Sequence, residues 1–264
     1  MIKWVSTEID GLTLRGTAYI PENGQQPLPT VLMFHGFSSN RDEAFGSFVQ
    51  MSRKLNHHGI AAVAFDYGCH GESDGEFIDF TFTQELRESM KLVSFVESLD
   101  FVDENRLALL GMSLGGIAAS MTAGKLPQDI RVLCMWSPAA VFVDEIVKQH
   151  VLQGRSTERV AQSGYFDFNS LKLGPAFFDD LKNIHIYQTA AKYSGPVTII
   201  HGDADSIAPI AYSEKYQRIY RQGANLVEVP GATHAWNSVP AKTMLLEETL
   251  RFFSKTLLAD DRVD

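Results

Sequence analysis

Cysteine is scarce in this chain. Only Cys69 and Cys134 occur in 264 residues, and no Cys/His spacing resembles a zinc site, so disulfides and a structural metal are excluded as organising principles. Cys134 lies in an apolar run and reads as a buried side chain; Cys69 lies in a glycine-rich loop and reads as incidental. Long apolar runs are missing as well: none approaches the ~20 residues of a membrane span. Met1-Ile2-Lys3-Trp4 leads into strand-like sequence with no signal-peptide core, which predicts a cytoplasmic protein. Positive charge is in deficit, with 23 Lys and Arg against 32 Asp and Glu and a net charge of −9. A phosphate backbone or an anionic membrane would have to bind against repulsion, so nucleic acid is not an expected partner. Phosphate-binding glycine loops of the Walker or dinucleotide type are absent too. No cofactor and no metal are expected, and the partner that fits is a small, neutral or weakly charged molecule.

What is present is the composition of an α/β core, 45% hydrophobic and 21% charged, enough for one domain spanning 1–264 with an insertion. Asp10-Gly11 between Val5–Ile9 and Leu12–Tyr19 is a two-residue hairpin signal. Strands are then expected at Thr30–Phe34, Ile60–Phe65, Leu107–Leu110, Ile130–Trp136, Val197–His201 and Leu226–Val229. Helices are expected at Ala44–His57, Thr83–Leu99, after Gly115, at Ala211–Arg221 and at Thr243–Leu258. Strands alternating with helices imply a mainly parallel, twisted sheet covered on both faces. Between Trp136 and Val197 the rhythm stops. The segment at about 137–193 mixes short helical patterns with Gly, Pro and many aromatics, among them Phe142, Tyr165, Phe166, Phe168, Phe177, Phe178 and Tyr187. That composition argues against disorder and for an inserted cap subdomain.

Arg106–Lys125 carries the chemistry. Leu107–Leu110 is an apolar run covered on both faces, Gly111-Met112-Ser113-Leu114-Gly115 a sharp turn, and Ile117–Thr122 a small-residue helix. Strand, turn and helix in that order present a serine as a nucleophile elbow. The pentapeptide alone is weak, since Gly-x-Ser-x-Gly arises by accident in roughly one chain in ten of this length at ordinary glycine usage. A second copy, Gly71-Glu72-Ser73-Asp74-Gly75, lacks the flanking strand and helix, so Ser73 reads as a loop residue.

A serine hydroxyl needs a base, and an imidazole base needs an acid to fix its tautomer. In folds that carry their nucleophile on such an elbow, the chain order is Ser, acid, His. Of eight histidines only His234, in Pro230-Gly231-Ala232-Thr233-His234, follows an acid at a late strand end. Asp203 and Asp205 both lie just past Val197–His201, and Glu228 is a third candidate; loop reach alone does not separate them. Two backbone N–H groups must meet the oxyanion: Leu114, directly after the nucleophile, and Phe37, in the loop Phe34-His35-Gly36-Phe37 after the first core strand. His70 precedes the serine and reads as a loop-fixing residue, while His57, His58, His150 and His185 read as surface or helix-end positions.

With Phe34-His35-Gly36-Phe37, Gly68-Cys69-His70-Gly71-Glu72-Ser73-Asp74-Gly75, the elbow, His201-Gly202-Asp203-Ala204-Asp205 and Gly231-Ala232-Thr233-His234, the chain resembles the α/β-hydrolase superfamily. More narrowly, it resembles bacterial cinnamoyl and feruloyl esterases, over nearly its whole length. The resemblance implies the α/β-hydrolase fold with a cap, and a serine esterase cleaving hydroxycinnamate esters. It implies Asp205 as the acid, the Phe37 and Leu114 N–H groups as the oxyanion hole, and a possible homodimer. Met112 stands where that family commonly has histidine, and Leu114 where Gln or Met is usual; neither change removes a catalytic group. A cap of similar length holds the aromatic part of the substrate in those esterases. Asp144, Glu145 and Tyr165 are the candidates here for polar contacts to a phenolic hydroxyl. Rival readings are a general short-acyl carboxylesterase, a monoacylglycerol lipase, a thioesterase and, outside enzymes, a non-catalytic hydrolase-fold binding protein.

Overall fold

Asp10 and Gly11 both take positive φ, 53° and 82°, the two-residue turn whose twist matches that of paired strands. They join β1 (Ile2–Ile9) to β2 (Leu12–Tyr19), with Ile9 opposite Leu12. The computed structural model describes residues 1–22, 24–220 and 223–259. Six further strands complete an eight-stranded sheet: β3 (Leu28–Phe34), β4 (Ala61–Phe65), β5 (Val102–Met112), β6 (Val132–Trp136), β7 (Val197–Gly202) and β8 (Ala224–Val229). Their order is β1-β2-β4-β3-β5-β6-β7-β8, antiparallel through β1, β2 and β4 and parallel from there on.

The central strands are buried from end to end, as parallel strands between helical layers must be. Successive side chains serve opposite cores. On one face Leu32, Phe34 and Leu109 join Leu92 and Val96 of α2 (Phe82–Glu97) and Ile117 of α3 (Leu114–Lys125). On the other, Val31, Met33 and Leu110 join Phe48 and Met51 of α1 (Ser47–His57) and Leu245 and Phe253 of α5 (Val239–Leu257). α4 (Ala211–Ile219) follows β7; the expected end of this helix at Arg221 lies outside the described residues.

Every residue of α3 from Leu114 to Gly124 is buried, because this helix is enclosed by the sheet and by the segment Ile186–Ala190. Close approach explains its small side chains. A Cβ on Gly115 would sit 2.1 Å from the Phe34 carbonyl oxygen, and one on Gly124 would sit 2.1 Å from that of Thr189.

Three helices depart from expectation for physical reasons. Phe45 and Gly46 are left-handed, so Ala44–Gly46 is a separate 3-10 turn and α1 begins at Ser47. Ser238 caps Ala241 and Pro240 fits the first turn, so α5 starts at Val239, four residues before the apolar pattern. In α2, Glu85, Glu88 and Ser89 are buried while Met90 is only half-buried, since this face meets polar groups of the loop after β4.

Between β6 and β7 the chain forms a helical turn (Val141–Val143) that continues as a π-helical turn (Asp144–Gln149). Two small hairpins follow, Val151–Leu152 with Arg155–Ser156 and Phe166–Phe168 with Leu171–Leu173, besides short helices at Val160–Ser163, Pro175–Asp180 and Ile186–Ala190. Buried Phe142, Phe168 and Phe177 dock it on the body, and Asp180 accepts the Thr83 amide at 2.7 Å. Among the described residues no helix is long and apolar enough to cross a membrane.

Candidate active site

β5 ends at Met112, and the chain turns at once into α3. Ser113 makes that turn with φ 55° and ψ −115°, a conformation a non-glycine residue rarely adopts and which is held here by its neighbours. Its amide donates to Trp136 O on β6 at 2.9 Å, and its carbonyl accepts from Ala139 N at 3.1 Å. The backbone is fixed and the hydroxyl projects from the strand end.

His234 Nε2 lies 2.9 Å from Ser113 Oγ, and His234 Nδ1 lies 2.7 Å from Asp205 Oδ2. A carboxylate only accepts, so Nδ1 carries the proton and Nε2 is left to accept the serine hydroxyl. The other oxygen of Asp205 accepts the amides of Ile207 at 2.9 Å and Ala208 at 2.8 Å. Burial pushes this carboxyl up, but hydrogen bonds from His201, His234 and the Ala208 amide outweigh it and hold the group well below the ordinary carboxylate range. Asp205 is therefore ionised beside the His234 imidazole.

The two strand-end aspartates divide the work. Asp203 is exposed and accepts the Gly231 amide at 2.6 Å, pinning the turn that delivers His234. Asp205 points inward to the imidazole. Glu228 is exposed on edge strand β8.

His201, to which the sequence reading assigned no role, is fully buried with Nε2 2.7 Å from Ala208 O and 3.3 Å from Asp205 Oδ2. Its Nδ1 accepts the Ser213 hydroxyl at 2.6 Å. It holds Asp205 from behind, and an imidazole inside the apolar run Val197–Gly202 was the signal available. Glu43 was also missed and left no signal. One of its oxygens accepts Gly36 N at 2.7 Å, and the other accepts the Ser39 hydroxyl at 3.1 Å and Ala44 N at 2.8 Å. This bracing shapes the loop that carries Phe37.

Neither the Phe37 nor the Leu114 amide donates to an acceptor among the described residues. His35 ties the same loop down: its Nδ1 donates to Gly36 O at 2.8 Å and its Nε2 accepts Tyr67 N at 3.2 Å. Burial lowers it to about 4, so it is neutral. The half-buried Phe37 ring meets Phe77 and Phe80 from the body and Phe142, Phe168 and Phe177 from the insertion, at centroid distances of 4.7 to 6.1 Å. An aromatic wall thus adjoins the loop Gly36-Phe37.

The candidates for polar contacts have partners of their own. Asp144 accepts the Tyr212 hydroxyl at 2.8 Å and pairs with Lys148 at 2.6 Å, so both its oxygens are engaged. Glu145 accepts Gln153 N. Tyr165 is 39% exposed, with Lys172 above its ring. Both cysteines are buried, which raises the Cys69 thiol to about 11 and Cys134 to about 12 and leaves neither as a nucleophile.

Residues 31–244 match the model of the alpha/beta hydrolase family. A structure of Est1E from Butyrivibrio proteoclasticus with ferulic acid bound superposes with a TM-score of 0.88 at 27% identity, over 96% of this chain and 99% of that one. A monoacylglycerol lipase of Mycolicibacterium smegmatis is 21% identical over 84% of this chain and 86% of its own length. An uncharacterised 31.7 kDa Escherichia coli protein is 31% identical over 51% of this chain; the match spans 44% of that relative, under half its length.

Proposed function

The chain belongs to the alpha/beta hydrolase family, and from that premise we propose that it is a serine carboxylic-ester hydrolase whose substrates are hydroxycinnamate (feruloyl and p-coumaroyl) esters. The observation that carries the reading is the unbroken chain from Ser113 Oγ through His234 to Asp205, at 2.9 and 2.7 Å.

Ser113 Oγ attacks the ester carbonyl as His234 Nε2 takes its proton, and the carbonyl oxygen becomes an oxyanion facing the Phe37 and Leu114 amides. Collapse breaks the C–O bond to the alcohol, which leaves with the proton returned by His234. Water then adds to the acyl-enzyme by the same route, giving the free acid and restoring Ser113. Asp205 stabilises the imidazolium in both halves. We read 137–193 as a cap whose aromatics, with Phe37, receive the acyl group. The ferulic acid bound to Est1E supports the aromatic acyl class.

A second reading, an esterase of aliphatic acylglycerols, is favoured by a different observation. The wall around Phe37 is aromatic, whereas Asp144 and Tyr165, the residues expected to meet a phenolic hydroxyl, are engaged or exposed. Initial rates of wild type and Ser113→Ala on methyl ferulate, methyl p-coumarate, 4-nitrophenyl butyrate and a monoacylglycerol separate the two. Ser113-dependent turnover with the highest kcat/KM on the ferulate supports the first reading. Preference for the aliphatic esters replaces it with the second, and no turnover of any ester returns the chain to the non-catalytic alternative.

A further inference from the structure

Beside the loop that carries His234 lies a cavity of about 330 Å³, between α1 and the start of α5. Its walls are apolar at Phe45, Trp236, Val239 and Leu246, and its charged groups are Lys54 and Lys242. No carboxylate is among its ten lining residues, in a chain with a net charge of −9.

Lys242 is the unusual group. It is 9% exposed and sits in the fourth position of α5, where the helix N-terminus disfavours a cation. Its ammonium donates to the Ser47 hydroxyl and forms no ion pair among the described residues. The neighbouring carboxylate, Glu43, is committed to Gly36 N, Ser39 and Ala44 N. Burial holds Lys242 below the ordinary lysine range, with Glu43 acting weakly against that. A buried ammonium with one neutral partner is costly and lacks an anion.

The apolar side is equally unspent. Phe45 is 66% exposed and Val239 80% exposed, and Phe45 is held in the left-handed region at φ 56°, which is rare for a bulky residue. Its ring centroid is 6.0 Å from the Lys242 ammonium. Trp236 is 2% exposed, and its indole N–H is buried with no acceptor among the described residues.

A cation and an aromatic face at this separation match one ligand chemistry. We propose that this cavity binds a small organic monocarboxylate with an aryl or acyl body, its carboxylate on Lys242 and its body against Phe45 and Val239. Trp236 is two residues from His234, so their Cα atoms lie within about 7 Å, and a bound acid adjoins the loop that carries the base. The acid released by an esterase is in this chemical class; the binding site itself stands without that reading.

Calorimetric titration of Ser113→Ala protein with 4-phenylbutyrate and its neutral analogue 4-phenylbutan-1-ol tests the site. The expected result is at least tenfold tighter binding of the acid, reduced to parity by Lys242→Gln, with Phe45→Ser weakening both ligands several-fold. Phe45 is exposed, so its replacement decides the question even if Lys242→Gln fails to fold. Equal affinity for acid and alcohol overturns the proposal, as does no measurable binding at millimolar concentration. Acid binding unchanged by Phe45→Ser or by Lys242→Gln also overturns it, by placing the carboxylate elsewhere, as at the oxyanion amides. None of these outcomes depends on ester turnover.

Discussion

Gly-x-Ser-x-Gly occurs twice, at Gly111–Gly115 and Gly71–Gly75, and the two copies become different objects. Ser113 stands between the buried end of a central strand and a buried helix, and among the described residues its hydroxyl meets only the imidazole of His234. Ser73 stands in a loop, and its hydroxyl is used up: it donates to Asp66 O at 2.7 Å and accepts the Arg15 amide at 2.9 Å. The second loop is a strut. Asp66 gathers Arg41 and the Glu72 amide around it, and Arg41 also pairs with Glu72 at 2.6 Å. The pattern is the same; the apolar run Leu107–Leu110 and the small-residue helix set only one of the two serines at a strand-to-helix turn beside an imidazole.

Serine replacement breaks the comparison most sharply. Ser113→Ala is expected to lower kcat by roughly 10⁶, as when a triad acts as a unit. Ser73→Ala is expected to leave kcat/KM within a few-fold while costing about 1 to 3 kcal/mol, because it strands the Arg15 amide and the Asp66 carbonyl. Steady-state kinetics and urea melts of both variants check this; equal kinetic losses would erase the distinction. The aspartates give the next largest contrast. Asp205→Asn keeps the shape but loses the ionised acceptor, and should cost about 10⁴ in kcat. Asp203→Asn still offers an oxygen to Gly231 N, and the same assay should show little change.

The loop that carries Phe37 gives a smaller effect. Glu43→Ala releases Gly36 N, Ser39 and Ala44 N together, and should lower kcat about 10- to 100-fold with KM less affected, by misplacing one of two amides. Glu43→Gln, which retains one oxygen for Gly36 N, should recover part of the loss in the same initial-rate measurement.

The same contrast explains what the sequence could reveal. Buried parallel strands are legible because both faces are apolar, and the expected positions of β3 to β8 differ from the structure mainly in length. The Asp10-Gly11 turn is legible because two successive positive φ values suit few residues. The partner of His234 was legible only as one of a pair: Asp203 and Asp205 differ in which backbone amides they meet, Gly231 for one and Ile207 with Ala208 for the other, and no local pattern encodes that. His201 and Glu43 act through loop turns that bring residues four to seven positions away onto their side chains, and no periodic pattern marks such turns. The short hairpins of the insertion carry too few residues for periodicity. Buried Glu85 and Glu88 reverse the ordinary reading of a helix face, because Glu88 accepts the Gly68 amide at 2.9 Å and Gln84 Nε2 at 2.8 Å.

The smallest expected effect locates acid sensitivity in the second loop, away from the elbow. His70, which leads into Gly71–Gly75, is buried with Nδ1 donating to Gly68 O at 3.1 Å and Nε2 without a hydrogen-bond partner among the described residues. The rings of Phe77, Phe80 and His35 surround it. Burial, with a smaller contribution from His35, lowers it from 6.5 to about 3. Between those values the unfolded chain binds the proton and the folded chain does not, so stability falls as pH drops below 6.5. His70 accounts for about 2 kcal/mol between pH 7 and 5 at 1.36 kcal/mol per pKa unit. His35 adds a loss in the same direction, whereas Glu85, which burial raises well above the usual carboxyl value, gains a proton on folding and works the other way. The readout is therefore a difference between proteins. Urea melts at pH 7 and pH 5 should show wild type losing about 2 kcal/mol more than His70→Asn, which keeps a donor for Gly68 O. Parallel losses in the two proteins would move the acid-sensitive group out of this loop.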